Sequence, residues 1–380
     1  MLSFNGMITE QSAKRIFGLD LIRATAILMV LCSHILSIYP NVTNKLTQVF
    51  ILFGYWGVEI FFVLSGFLIG NILYKLYIKD DFTIHSVFSF LKRRWLRTLP
   101  NYFLILLLNI VLAFAFNFFM QDVGYYFFFF QNFSHSMRPF FSESWSLSVE
   151  EFAYLFTPFA LLIPTLLVKS KNKSKWFISV VLFLILIFLF NKIIYYFTTS
   201  NTTIEQWNVS LKAVVIYRID SILIGIAASW ISLNFGKFWM KQKATLFFLG
   251  CGLLIVMFVG VGFFGIFINT HPFFWDVLYL PITSVTFALF LPVFSQWKSA
   301  PSWLSKPIIF VSLISYSVYL LHYSIVLQLM KFCFDTASFS VLQLHFFTFF
   351  YLVTTFLLSF CLYKFFEKPI MDLRGGCKID

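Results

Sequence analysis

FFLGCGLLIVMFVGVGFFGIF, residues 247–267, decides the fold: it runs for 21 residues without a charge, an amide or a hydroxyl. A membrane β-strand is about half that length and alternates between apolar and polar faces, and this stretch does neither. About 20 apolar residues is the length of an α-helix that crosses a bilayer with every backbone group bonded internally. The rest of the chain has the same character. Of its 380 residues 60% are hydrophobic, 12% are charged and 55 are Phe, with a mean hydropathy of +0.85. An ordinary soluble domain carries about 25% charged residues, so a soluble enzyme is excluded.

Apolar runs between polar interruptions predict ten spans, over residues 19–39, 49–73, 99–119, 145–168, 176–198, 211–233, 245–269, 276–297, 307–330 and 340–366. With no linker and no internal repeat, residues 1–380 read as one all-α polytopic membrane domain. The first run holds Arg23 and lacks a small-residue cleavage site, which predicts a retained span and not a signal peptide. Loop charges test the count. With the N-terminus in the cytoplasm, 21 of the 28 Lys and Arg residues fall on inside segments and 3, Lys45, Arg138 and Lys331, on outside loops. That asymmetry predicts ten spans with both termini cytoplasmic. It also accounts for the net charge of +12, which faces anionic lipid from dispersed loops and does not suggest nucleic acid.

The five cysteines are odd in number and unpaired in spacing, and no CxxC, HExxH, GxSxG or phosphate-cradling glycine loop occurs. Neither a disulfide nor a metal site is expected. What remains is a set of ionisable residues inside apolar runs. Arg23 and His34 lie eleven apart in LDLIRATAILMVLCSHILSIY, residues 19–39. On a helix that is about three turns and about 17 Å, with both side chains on one face. Glu59, Arg218 with Asp220, and His322 fall in the outer halves of their spans, and Glu150 and Glu151 open the fourth. Charges at such depth cost a few kcal/mol each, so they normally pair or line a polar cavity. LKRRWLRTLP, residues 91–100, places Arg93, Arg94 and Arg97 at the cytoplasmic mouth of the third span, where Arg94 and Arg97 share a helix face and clustered Arg can fork onto phosphate.

Each of these has a structural alternative. On composition alone the Arg cluster reads first as a positive-inside anchor, and His322 reads equally as a helix-packing residue bonded to a carbonyl. Arg218 with Asp220 reads as an interhelical ion pair, and Glu150 or Glu151 as a helix-start carboxylate. Ser65, Trp145 and Tyr319 read as packing residues. A secondary transporter or flippase for a lipid-linked sugar or a proton-coupled solute would also use intramembrane charges, although the missing repeat and the Arg cluster speak against it.

Seven motifs, taken in order, give the chain a resemblance. They are Arg23 with His34, FFVLSGFLI (61–69), RRWLR (93–97), SWSLSVEEFAYL (144–155), YRIDSILIG (217–225), ISYSVYLLH (314–322) and FEKP (366–369). Together they resemble the acyltransferase-3 family of bacterial inner-membrane enzymes, which O-acylate cell-surface glycans such as lipopolysaccharide O-antigen, capsule or exopolysaccharide. The resemblance implies acyl-CoA, usually acetyl-CoA, as cytoplasmic co-substrate, no metal, and an extracytoplasmic glycan acceptor. It makes Arg23, Arg93, Arg94 and Arg97 candidate donor-binding residues. It makes His34 the candidate base or acyl acceptor, with Glu150 or Glu151 to orient it. Glu59, Ser146, Arg218, Asp220 and His322 become candidates for the oxyanion or acceptor site. Some members carry a further span and a C-terminal SGNH domain. This chain stops soon after the tenth span, which implies transfer within the membrane domain or with an envelope-biosynthesis partner.

Overall fold

The computed structural model describes residues 15–39, 45–79, 81–167, 172–262 and 264–373. Of the residues invoked in the charge and cysteine arguments, Lys14, Lys169, Lys171, Arg374, Cys377 and Lys378 lie outside them. Among the described residues nine helices are long and apolar enough to cross a membrane and no strand is present. The protein is an all-α, multi-pass membrane protein.

In chain order the helices are α1, Phe17–Ile35; α2, Lys45–Tyr77; α3, Ile84–Phe116; α4, Trp145–Leu167; α5, Lys173–Thr198; α6, Ile219–Asn234; α7, Lys243–Gly262; α8, Phe274–Gln296; α9, Ser302–Cys333; and α10, Val341–Leu373. Local chemistry sets several ends. Ser340 accepts from the Gln343 backbone N–H while the Gln343 side chain accepts from the Ser340 N–H, a reciprocal cap that opens α10. Asn117, with φ of 55°, closes α3 in the left-handed conformation that Asn tolerates.

The sixth predicted span departs from expectation. Residues 211–233 were expected to form one helix, but α6 has only 16 residues and follows a π turn over Asn208–Lys212 and a 3-10 turn over Val215–Tyr217. The hydrogen bonds that a longer helix would have made go to the loop ahead of α4. Val215 and Ile216 donate their N–H groups to the carbonyls of Asn132 and Phe133, and the Asn132 side chain donates to the Trp145 carbonyl at 3.0 Å. Irregular backbone survives at membrane depth only when protein encloses and satisfies it, as here.

α2 is the structural axis, packed on both α1 and α6, with α9 behind α1 and α5 and α8 around α6. The α2–α6 crossing needs glycine on both sides. A Cβ on Gly66 would come within 2.0 Å of the Ile222 carbonyl oxygen, and one on Gly225 within 2.2 Å of the Val63 carbonyl oxygen. Small residues let membrane helices approach at backbone distance, so any side chain at either position drives α2 and α6 apart. Three further π turns interrupt helices, at Phe274–Leu278, His322–Leu327 and Tyr363–Glu367.

Candidate active site

Two cavities meet inside the helix bundle. The first, about 140 Å³, is walled by Arg23 of α1, Ser65 of α2, Arg94 and Arg97 of α3, Ser146 and Glu150 of α4, and Tyr316 and Tyr319 of α9. The second, about 360 Å³, is walled by His34, Glu143, Lys212, His322 and Tyr323 among rings that include Trp145, Trp207 and Trp275. Val58 and Tyr319 belong to both walls, so the cavities abut at that level. α1 is unbroken from Phe17 to Ile35. Its rise therefore carries Arg23 and His34 about 17 Å apart, one into each cavity.

In the arginine cavity, Arg94 donates to the Tyr154 hydroxyl at 2.6 Å and lies over the Tyr154 ring at 4.4 Å. Its guanidinium is 3.5 Å from Glu150, which accepts from the same tyrosine at 3.0 Å. The Ser65 hydroxyl completes this cluster by bonding Tyr154. Arg23 lies 3.8 Å from Asp20. That carboxylate is already taken by Arg15, through its Nε at 2.9 Å, and by the Ser312 hydroxyl at 2.6 Å. Arg23 is thus left to present donors to the cavity.

In the histidine cavity, the rings of His34 and His322 lie 4.9 Å apart, and His34 sits 4.5 Å from the Tyr323 ring. His322 is fully buried, and its Nδ1 lies 2.8 Å from the Tyr319 carbonyl oxygen. A carbonyl only accepts, so Nδ1 carries the proton and Nε2 keeps its lone pair. Among the described residues Nε2 has no hydrogen-bond partner. His322 thus has the carbonyl bond of a packing residue, and that bond leaves its other nitrogen poised as a base. It opens a π turn, a local distortion common at functional sites. The carboxylate of this cavity is Glu143. One of its oxygens accepts from the Ser324 backbone N–H at 3.0 Å and hydroxyl at 2.6 Å, and the other has no partner among the described residues.

Tyr319 is the polar part of the wall that the cavities share, beside Val58. Its hydroxyl bonds the Ser146 hydroxyl at 2.7 Å and lies 3.1 Å from the Glu143 carbonyl oxygen. Ser65, Trp145 and Tyr319, expected to be packing residues, all face a cavity.

Several sequence expectations are corrected. Neither Glu150 nor Glu151 lies with His34: Glu150 serves Arg94, and Glu151 accepts from Thr98 at 2.8 Å and Trp95 at 3.1 Å between α3 and α4. The reason is depth. α4 begins with Trp145 already at the level of the shared wall, so five further residues carry Glu150 one and a half turns past it. Glu143 takes the expected place, held by a 3-10 turn over Ser142–Ser144. Sequence reading missed it because it stands in polar surroundings just ahead of the SWSLS motif. Arg93 turns back to the Ser89 carbonyl of its own helix at 3.3 Å and is not brought to the arginine cavity with Arg94 and Arg97.

Glu59, Arg218 and Asp220 are not brought to either cavity. Arg218 pairs with Glu59, not with Asp220, and Glu59 also accepts from Ser284. Asp220 pairs with Lys192. All four charges are buried, and together they tie α2, α5, α6 and α8. Removing one partner of such a pair strands the other and costs about 3–5 kcal/mol. Arg218→Ala should therefore lower the melting temperature and the folded yield in detergent, whereas Arg218→Ala with Glu59→Leu should recover much of the loss. A single variant as stable as the wild type would end this assignment.

A family model described as an acyltransferase domain matches residues 16–364. The chain belongs to the acyltransferase-3 family. It is similar to a "Putative O-acetyltransferase" of Staphylococcus aureus strain COL, 28% identical over 211 residues, which is 49% of this chain and 32% of that one. It is also similar to a "Putative peptidoglycan O-acetyltransferase" of Bacillus subtilis strain 168, 30% identical over 190 residues, 44% of this chain and 27% of that one. The matched region thus spans less than a third of the length of these relatives. No solved structure matches the chain at a significant level. Within this acyltransferase-3 chain the motif residues Arg23, Ser65, Arg94 and Arg97 meet in one cavity and His34 and His322 in the other. The glutamate of FEKP, Glu367, is buried and accepts from Asn101 at 2.9 Å and Ser317 at 2.6 Å, joining α10 to α3 and α9.

Proposed function

We propose that this chain is a membrane O-acyltransferase of the bacterial cytoplasmic membrane. It takes an acyl group, usually acetyl, from cytoplasmic acyl-CoA and esterifies a hydroxyl of a glycan on the far side. The observation that carries this reading is the abutment of an arginine-lined cavity and a histidine-lined cavity at one shared tyrosine. Arg23, Arg94 and Arg97 offer the planar, forked donors that phosphate groups favour, at the mouth of a narrow space suited to a pantetheine arm and not to a nucleotide. The nucleotide stays outside and the thioester reaches Tyr319.

On the other side of Tyr319 the acceptor hydroxyl meets the imidazole pair. An imidazole takes the hydroxyl proton as the oxygen attacks the thioester carbon. The tetrahedral intermediate then collapses, the C–S bond breaks, and the CoA sulfur leaves with the proton returned by the imidazolium. The Tyr319 hydroxyl donates to the Glu143 carbonyl and the Ser146 hydroxyl to Tyr319, so one of them must turn from its partner to donate to the developing oxyanion. The rings of Trp145, Trp207 and Trp275 offer flat apolar faces to the acceptor. An envelope glycan is the acceptor class: O-antigen, capsule, exopolysaccharide or peptidoglycan, the last being the one that the name of the Bacillus relative supports.

The test is radiolabelled acetyl-CoA supplied to inside-out membrane vesicles from cells with and without the chain. The expected result is alkali-labile label in glycan enclosed within the vesicles only when the chain is present. Equal label in both preparations, or label confined to the donor side, overturns the reading.

A further inference from the structure

Lys212 differs from three other cations inside the bundle. Arg218 faces Glu59, Lys192 faces Asp220 and Arg94 faces Glu150. No carboxylate among the described residues comes within ion-pair distance of Lys212. Its ammonium lies instead 5.1 Å from the centre of the Trp145 ring and 5.9 Å from that of Tyr55. It lines the cavity that holds His34 and His322. Glu143, the carboxylate of that cavity, is occupied on one oxygen by Ser324 and makes no ion pair with Lys212. Ring faces offset part of the cost of holding an ammonium at this depth, but a cation with no ion-pair partner among the described residues remains unfavourable at a membrane-buried cavity wall. The π turn over Asn208–Lys212 ends on this residue, so the same irregular backbone that shortens α6 aims the side chain inward.

We propose that Lys212 selects an anionic acceptor: a sugar bearing a carboxylate or a phosphate, whose anion sits on the Lys212 ammonium while a hydroxyl of the same molecule lies under the imidazole pair. This rests on reading the histidine cavity as the acceptor site. The aromatic walls take the apolar sugar face, and Lys212 supplies a charge-assisted hydrogen bond that a neutral sugar lacks. An acceptor without the anion leaves the ammonium desolvated and unpaired, which discriminates against it.

The test uses the purified full-length chain and a matched trio of probes: glucose, glucuronate and glucose 6-phosphate. Binding is read from tryptophan fluorescence, since Trp145, Trp207 and Trp275 line the cavity. At least one of the two anions should bind about tenfold or more tighter than glucose, the gain expected of one charge-assisted bond. The anion preferred identifies carboxylate or phosphate as the source. Lys212→Met and Lys212→Gln should each erase the preference and Lys212→Arg should keep it. Equal binding of all three probes, no saturable binding of either anion, or a preference that survives in the Met or Gln variant overturns the proposal. A parallel CoA titration separates the two readings. Wild-type protein that binds CoA but fails the anion comparison sinks the Lys212 assignment alone, whereas protein that binds no CoA sinks the proposed function.

Discussion

His34→Ala is expected to lower acyl transfer by about 10²–10⁴-fold, the range supplied by a positioned acid or base, while CoA affinity and melting temperature stay at wild-type values. The split is the informative part. His34 sits in the histidine cavity, about three helical turns from Arg23, so its loss touches nothing that would hold the donor. It is also only partly buried, and its side chain makes no hydrogen bond among the described residues. His322→Ala should be as damaging. The double variant should be little worse than either single one, because groups acting on one proton fail together. Mass spectrometry of envelope glycans from complemented knockout cells is the measurement. Wild-type ester content in the His34→Ala strain would remove the histidine pair from the chemistry.

Arg94→Ala with Arg97→Ala should raise the KM for acyl-CoA, and the CoA dissociation constant, by about 100-fold, since each charge-assisted hydrogen bond contributes about 1.5–3 kcal/mol. The single change Arg94→Ala carries a second cost. It leaves Glu150 and Tyr154 without the cation between them, so part of the damage would be structural. Arg94→Lys separates the two effects: it keeps a positive charge for Glu150 but loses the planar fork. The lysine variant should fold like the wild type and still bind CoA roughly tenfold more weakly, as expected when one bidentate contact is lost. Unchanged CoA affinity in the double alanine variant would return the cluster to the role of a membrane anchor.

The helices were legible because length and composition alone fix a membrane span, and a run such as residues 247–267 admits one reading. The pairing of charges was less so, for reasons of helical angle. Arg218 and Asp220 are two residues apart, and residues so spaced do not face each other on a helix. Their separate partners, Glu59 and Lys192, come from helices whose rotation no single sequence states. Glu150 and Glu151 differ by about 100° in the same way, so one enters a cavity and its neighbour an interface. By contrast Arg94 and Arg97 share a face by spacing, and both do line the same cavity. Glu143 and Lys212 were not singled out: Glu143 sits in a polar 3-10 turn, and the run that placed Lys212 at the start of a sixth span, residues 211–233, gave no sign of the π turn on which it stands.

Tyr319 has an electrical consequence. A bilayer ordinarily spreads its insulating thickness over about 30 Å of hydrocarbon. In the proposed arrangement, with the arginine cavity open to the cytoplasm and the histidine cavity to the far side, that thickness would shrink to the level where Val58 and Tyr319 separate them, and much of the transmembrane voltage would fall there. Moving a unit charge through such a point costs about 2.3 kcal/mol per 100 mV. In the proposed reaction the acyl group passes outward in exchange for the hydroxyl proton, which ends on the CoA sulfur, so no net charge crosses, and the phosphates of CoA never leave the arginine side. Acylation across the membrane is then electrically silent, neither driven nor opposed by the voltage of a respiring cell.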